Sequence, residues 1–295
     1  MAPDLVQLEP TAARHWAAKA SCTALALTIG LMLIDYLCGP LPRIQAFTTN
    51  EDTANTLDDY LRDPSAETIL VGSSLMYRLT QDYFSEKGVR NIAIAGDSPE
   101  TGLRIVANQR VLPRTVLVET NVLERAPNNE LVEHYKPSPF NFAKLAPHIR
   151  PVRTLVSLVY GFSPSALRRM YASRRGEILL EAVPPPFAVP AGALRDWSNT
   201  SRTNQIRRTS EALSSAAESL RARGVQVYFV WLPMPDAIEN SPLARHQQEI
   251  FHRTVDPSLP FLPLQVDRGQ LRWPDGQHLN ERSAILVVDA IDKAL

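Results

Sequence analysis

Cysteine is scarce. The chain has two in 295 residues, Cys22 and Cys38. That excludes a disulfide-rich scaffold and any zinc site built on several thiolates. No charge of one sign predominates, since 31 Lys and Arg face 31 Asp and Glu. A zero net charge argues against a protein whose whole surface binds nucleic acid or anionic lipid. Glycine is half as frequent as proline, 12 against 24, and no internal repeat is visible. His134, His148, His246 and His252 share no ligand spacing with carboxylates or cysteines, so no metal site and no cofactor is expected. What is present is ordinary for a packed protein, with 44% apolar and 21% charged residues. Disorder over most of the chain is thereby excluded.

The longest uncharged run is ASCTALALTIGLMLI, residues 20–34. Extended through Asp35 to Cys38 it has 19 residues, about 28 Å as a helix and near a bilayer core. Trp16 and Tyr36 sit near its ends, where amphipathic rings favour an interface. Arg14 and Lys19 precede it and only Arg43 closely follows. This pattern predicts a cytoplasmic tail at 1–19, a transmembrane anchor at 20–38 and a linker or helix at 39–65. The remaining domain, 66–295, would then lie on the periplasmic side of the inner membrane. Rival readings are a cleaved signal segment, for which Ile44-Gln45-Ala46 is a poor site, and a buried core helix.

Beyond residue 65, short apolar runs alternate with helical periodicity. Strands are expected at 68–71, 89–95, 115–119, 225–232 and 261–266. Helices are expected at 76–87, from Pro99 onward, and at 201–223, 241–254 and 279–295. Continuous apolar strands separated by helices predict an α/β fold with a parallel five-stranded sheet covered by helices on both faces. Ligands in such folds bind beyond the C-terminal ends of the strands.

Those ends carry polar blocks. The first strand runs into Gly72-Ser73-Ser74-Leu75. The second is followed by Gly96-Asp97-Ser98 and the third ends in Glu119-Thr120-Asn121-Val122. Before the last helix comes Asp275-Gly276-Gln277-His278. In order and placement these blocks resemble the SGNH hydrolase superfamily, the GDSL esterases and lipases, over roughly 66–123 and 225–295. The resemblance implies a flavodoxin-like sheet, Ser74 as nucleophile, Gly96 and Asn121 beside it, and Asp275 with His278 as the Asp-x-x-His block. Departures fall at Ser73, Glu119 and Val122. They look more like the membrane-anchored members that serve envelope and exopolysaccharide acylation.

The chemistry can be argued from the side chains. A serine hydroxyl needs a base to take its proton as it attacks. His278 can be that base, and Asp275, three residues earlier, can hold the ring and stabilise the imidazolium. The N–H groups of Ser74 and Gly96 and the Asn121 amide could donate to an oxyanion. Ser73 is the rival nucleophile. The expected activity is transfer of an acyl group, acetyl foremost, from a donor to a hydroxyl of an envelope or secreted polysaccharide. The alternatives are removal of acyl groups from such polymers, or a silent scaffold that binds glycan. Expected partners are the acyl donor, the polysaccharide acceptor, membrane lipid and a polytopic membrane acyltransferase or polysaccharide synthase, with no nucleic acid.

Residues 124–200 form an insert between the third and fourth strands. From 136 to 176 it holds eight basic residues and no acid: Lys136, Lys144, Arg150, Arg153, Arg168, Arg169, Arg174 and Arg175. It also contains an apolar stretch at 155–162 and the Pro184-Pro185-Pro186 turn. It reads either as a solvated face on a lid, or as a surface for lipid head groups, an acidic glycan or a partner protein.

Overall fold

The computed structural model describes residues 10–38, 49–62, 65–85, 88–137 and 175–295. The chain divides into two compact units, Met1–Gln45 with Phe142–Pro164, and Ala46–Asn141 with Ser165–Leu295. The described part of the first unit is one helix, α1 (Pro10–Cys38). Among the described residues no helix is long and apolar enough to cross a membrane. This corrects the anchor at 20–38 and the inner-membrane placement built on it. The physical reason is length: the charge-free run of 15 residues gives about 22 Å of helix, against a hydrocarbon core of roughly 30 Å.

The second unit holds a sheet of four parallel strands in the order β2-β1-β3-β4. They are β1 (Thr68–Val71), β2 (Val89–Asn91), β3 (Thr115–Glu119) and β4 (Gln226–Val230). Register pairs Val71 with Val118 and Glu119 with Val230, so β1, β3 and β4 end at one edge. All five residues of β3 are buried, as its TVLVE composition requires of a strand covered on both faces. Ile69, Leu70, Val116 and Leu117 are wholly excluded from solvent, each side chain contributing about 2 kcal/mol by burial.

Around this sheet and its loops lie α2 (Thr49–Arg62), α3 (Ser74–Tyr77), α4 (Pro99–Ala107), α5 (Asn129–His134), α6 (Ala191–Asp196), α7 (Thr203–Ala222), α8 (Asp236–Glu239), α9 (Pro242–Thr254) and α10 (Glu281–Ala294), with residues 175–180 also helical. Local chemistry sets several starts. Ser98 caps α4 by accepting from the Glu100 N–H, with Pro99 at the first helical position. Asn280 caps α10 by accepting from the Ser283 N–H at 2.9 Å. Helix α7 packs against α4 and α9, burying Ile206, Leu213, Ala217 and Leu220.

The expected fifth strand is absent from this sheet. Residues 261–266 contribute only one isolated parallel bridge, Phe229 to Phe261. Phe229 N–H donates to the Pro260 carbonyl, and Leu262 N–H to the Phe229 carbonyl at 2.7 Å. Beyond Leu262 the backbone makes no further bridge to β4 among the described residues. The second strand is also shorter than expected, although Ile94 N–H still reaches the Gly72 carbonyl at 3.0 Å. The helix expected at 76–87 is instead the single turn α3 and a 3₁₀ turn at Gln81–Tyr83. Most of the basic insert, residues 138–174 with its apolar stretch, lies outside the described residues. Of its eight basic residues, Lys136 sits 3.4 Å from Glu133, and Arg175 pairs with Asp289.

Candidate active site

The four polar blocks lie beyond the strand ends. β1 stops at Val71, and Ser73 turns the chain into α3. Ser73 takes the N-cap position, its hydroxyl accepting from the Leu75 N–H at 3.2 Å. Ser74 is therefore the first residue of α3, half-buried, and its N–H has no intrahelical acceptor. The far end of α3 is held by Asn91, whose Nδ2 donates to the carbonyls of Met76 at 2.7 Å and Leu79 at 2.8 Å.

His278 arrives from the loop before α10. Its Nε2 lies 2.9 Å from Ser74 Oγ, across 204 positions of sequence. Its Nδ1 lies 2.7 Å from Asp275 Oδ2. The other carboxylate oxygen of Asp275 accepts from the backbone N–H of His278 at 2.8 Å and of Gln277 at 3.0 Å. Partial burial would raise the Asp275 carboxyl, but these N–H groups and the His278 ring outweigh it and hold the group down at about 2. An ionised carboxylate only accepts, so Nδ1 must carry the proton. In the neutral ring Nε2 is then the lone-pair nitrogen, to which the Ser74 hydroxyl donates. The chain thus contains a hydrogen-bonded Ser–His pair, with the serine hydroxyl oriented toward a nitrogen able to take its proton.

The histidine loop is pinned at several points. Asn280 N–H donates to the Arg272 carbonyl at 3.0 Å, and Arg272 N–H to Ser283 Oγ at 2.7 Å. Trp273 Nε1 donates to the Pro233 carbonyl at 3.2 Å. Gly276 has φ +83°, and a Cβ there would collide with Pro190 Cδ and lie 3.1 Å from Val189 Cα. Gly276→Ala therefore adds left-handed strain of about 1 kcal/mol to overpacking of roughly 1–3 kcal/mol. A lowered denaturant midpoint and at least a several-fold loss of any Ser74-dependent rate are expected. An unchanged midpoint would show that the loop is not held in this way.

The remaining site residues expected from sequence are placed as follows. Gly96 lies in the turn after β2 with φ +85°, which explains the residue type there. Asn121 is wholly buried, and its carboxamide is engaged with Leu232: Nδ2 donates to the carbonyl at 2.9 Å and Oδ1 accepts from the N–H at 2.8 Å. Ser73 is also wholly buried. Its hydroxyl lies 2.8 and 3.0 Å from the two carboxylate oxygens of Glu119, so its proton is directed away from His278. Among the described residues, no group of three or more His, Cys, Asp and Glu side chains could hold a metal ion.

A cavity of about 430 Å³ opens beside Ser74. Leu75, Val122 and Trp197 give it apolar surface, and Glu124, Arg125 and Gln277 polar surface. Burial pushes the Glu124 carboxyl up, offset in part by its own backbone N–H and by the charges of Arg125 and Arg202. Glu124 Oε2 and Arg125 Nη1 have no hydrogen-bond partner among the described residues. Trp197, Arg125 and Glu124 carried no motif, and only the folded chain assembles them.

Glu119 stood out in the sequence only as a departure from a pattern. It is wholly buried. Burial pushes its carboxyl up, against the lowering effect of hydrogen bonds from Ser73 and Met76 and of the Arg125 charge. A carboxyl with a raised folded-state pKa stabilises the fold fully below its unfolded value, and that contribution is lost as pH rises through the folded value. The wild type should therefore lose stability relative to Glu119→Gln as pH climbs from about 4.5. Melting temperatures of the two proteins across pH 4 to 8 measure this, and a pH-independent difference would contradict it.

No family model matches the chain, and no curated protein matches it. The resemblance to the SGNH superfamily is thereby corrected: short blocks of two to four residues carried it, and no relationship between whole chains supports it. What stands is a class of architecture, a parallel sheet flanked by helices with a Ser–His pair beyond its strand ends. The expectation of a membrane-held polysaccharide acyltransferase falls with the resemblance and the anchor that supported it.

Proposed function

We propose that this protein is a serine hydrolase acting on a small carboxylic ester, with Ser74 as nucleophile, His278 as general base and acid, and Asp275 as the group that orients the ring. The observation that carries this reading is the 2.9 Å contact between Ser74 Oγ and His278 Nε2. Ser74 Oγ attacks the ester carbonyl carbon as its proton passes to Nε2. The resulting oxyanion is met by the N–H groups of Ser74 and Gly96. The ester C–O bond then breaks, and the imidazolium returns its proton to the departing alkoxide. Water attacks the acyl-enzyme with His278 again as base, releasing the carboxylic acid and restoring the Ser74 hydroxyl.

An ester suits the exposure of the pair. The Asp275 side chain is 52% exposed, so it stabilises an imidazolium less than a buried carboxylate would. An alkoxide needs less help to depart than an amine. The cavity at Ser74 has room for a short acyl chain with polar groups at Glu124, Arg125 and Gln277. The test is reaction of the full chain with a fluorophosphonate probe. Labelling abolished in Ser74→Ala and slowed but not abolished in Ser73→Ala is expected. Absence of labelling in the folded wild type would overturn the reading.

A further inference from the structure

The mechanism proposed above leaves one wholly buried carboxyl unused. Glu119 ends β3, next to Gly72 at the end of β1, and its side chain reaches under the turn that presents Ser74. Glu119 Oε2 accepts from the Ser73 backbone N–H at 2.7 Å and is 3.4 Å from the Met76 N–H. The Ser73 hydroxyl donates to the same carboxylate at 2.8 Å. Ser73 Oγ in turn accepts from the Leu75 N–H. One carboxylate thus gathers donors from the residues before and after Ser74, directly or through Ser73, and leaves the Ser74 N–H untouched. No ion pair neutralises it among the described residues.

Desolvating a carboxyl is costly, and an apolar residue at the end of a buried strand would cost nothing comparable. Space has also been left for it. A Cβ at position 72 would lie 2.6 Å from Glu119 Oε2 and 2.8 Å from its Cβ, so glycine is needed there for the carboxylate to approach. The polar site and the room around it occur together, directly below the nucleophile.

Resting on the serine-hydrolase reading, we infer that Glu119 is the positioning residue of the nucleophile turn, fixing through Ser73 and Met76 the orientation in which Ser74 Oγ faces His278. Ser73 is its adaptor. Its hydroxyl passes the hold from the carboxylate to the Leu75 N–H, so the first Ser of the Ser-Ser pair is structural and the second reactive. A carboxylate one methylene shorter would fall short of Ser73, whereas an amide of the same length keeps an acceptor oxygen for the backbone N–H groups.

The experiment compares Glu119→Gln, Glu119→Asp and Ser73→Ala with wild type in a kcat and KM measurement on a short aryl ester. Alongside it, hydrogen–deuterium exchange is followed at the amides of residues 73 to 77. Glu119→Asp is expected to lower kcat about 10- to 100-fold with KM within about twofold, and Glu119→Gln to stay within about tenfold of wild type. Exchange at 73 and 76 should quicken in Asp and remain slow in Gln. Equal kcat in all variants, or a loss confined to KM, overturns the inference. If the wild type turns over no ester, it is the serine-hydrolase reading that fails. The exchange data still decide the hold on the turn, because identical exchange in wild type and Glu119→Asp overturns it independently of any reaction. Should Asp fail to fold, Ser73→Ala removes the hydroxyl link from Glu119 to the Leu75 N–H, and an undiminished kcat there overturns the inference as well.

Discussion

Ser74→Ala is expected to lower kcat on a short aryl ester by roughly 10⁴- to 10⁶-fold, the scale on which a nucleophile and its base act as one unit. The substitution removes one oxygen from a half-buried position. It leaves α3 capped by Ser73 and held by Asn91, so stability should change by less than about 1 kcal/mol. Residual turnover should match His278→Ala, because neither group works without the other. The double variant should be no slower than either single one. Independent losses that multiply in the double variant would mean that the Ser–His contact is not the reacting pair.

The second large effect is expected at Asp275. In Asp275→Asn the side chain can present an amide N–H to Nδ1, which then accepts, so the proton moves to Nε2. The ring would face Ser74 with a donor, the wrong tautomer for a base. A loss of about 10²–10⁴ in kcat is expected, toward the lower end because the Asp275 carboxylate is half exposed and partly replaced by water. Asp275 in the wild type stays ionised down to a pH of about 2. Any fall of wild-type activity between pH 7 and 4 must therefore come from another group. The Asn variant should show its deficit across that whole range, and a deficit that appeared only above pH 6 would contradict the tautomer argument.

The fold was legible where burial alone decides structure. TILV and TVLVE can only be buried strands, and both appear where the apolar runs place them. The start of α4 was legible in Ser98-Pro99-Glu100 and its apolar stripe. Prolines obscured the rest. Residues 261–266 have the composition of a strand, but Pro260 and Pro263 fix the backbone on either side of Phe261-Leu262, and one bridge is all that forms. The uncharged run at 20–34 is apolar enough to suggest a span, but α1 continues past it into Arg14 and Lys19 on one side and Asp35 on the other.

The site was legible in part for a related reason. His278 and Asp275 are three residues apart, and one loop can bring them together whatever the fold. Their meeting with Ser74 depends on strand order, which parallel alternation constrains to one edge. Glu119 was not legible, because its role depends on β3 lying beside β1 in a register that sets it against Gly72. The same holds for Asn121, whose amide is engaged by Leu232, 111 residues further on. Short motifs reveal side chains that act across a loop, whereas side chains that act across a sheet become visible only with its register.

The most direct measurement is acid-quenched peptide mapping of the wild type during turnover of a slowly deacylating ester. A mass increment equal to the acyl group, on Ser74 and absent from the Ser74→Ala protein, is the predicted result. Steady ester turnover with the acyl group on another residue, or with no acylated peptide while deacylation limits the rate, would contradict the account.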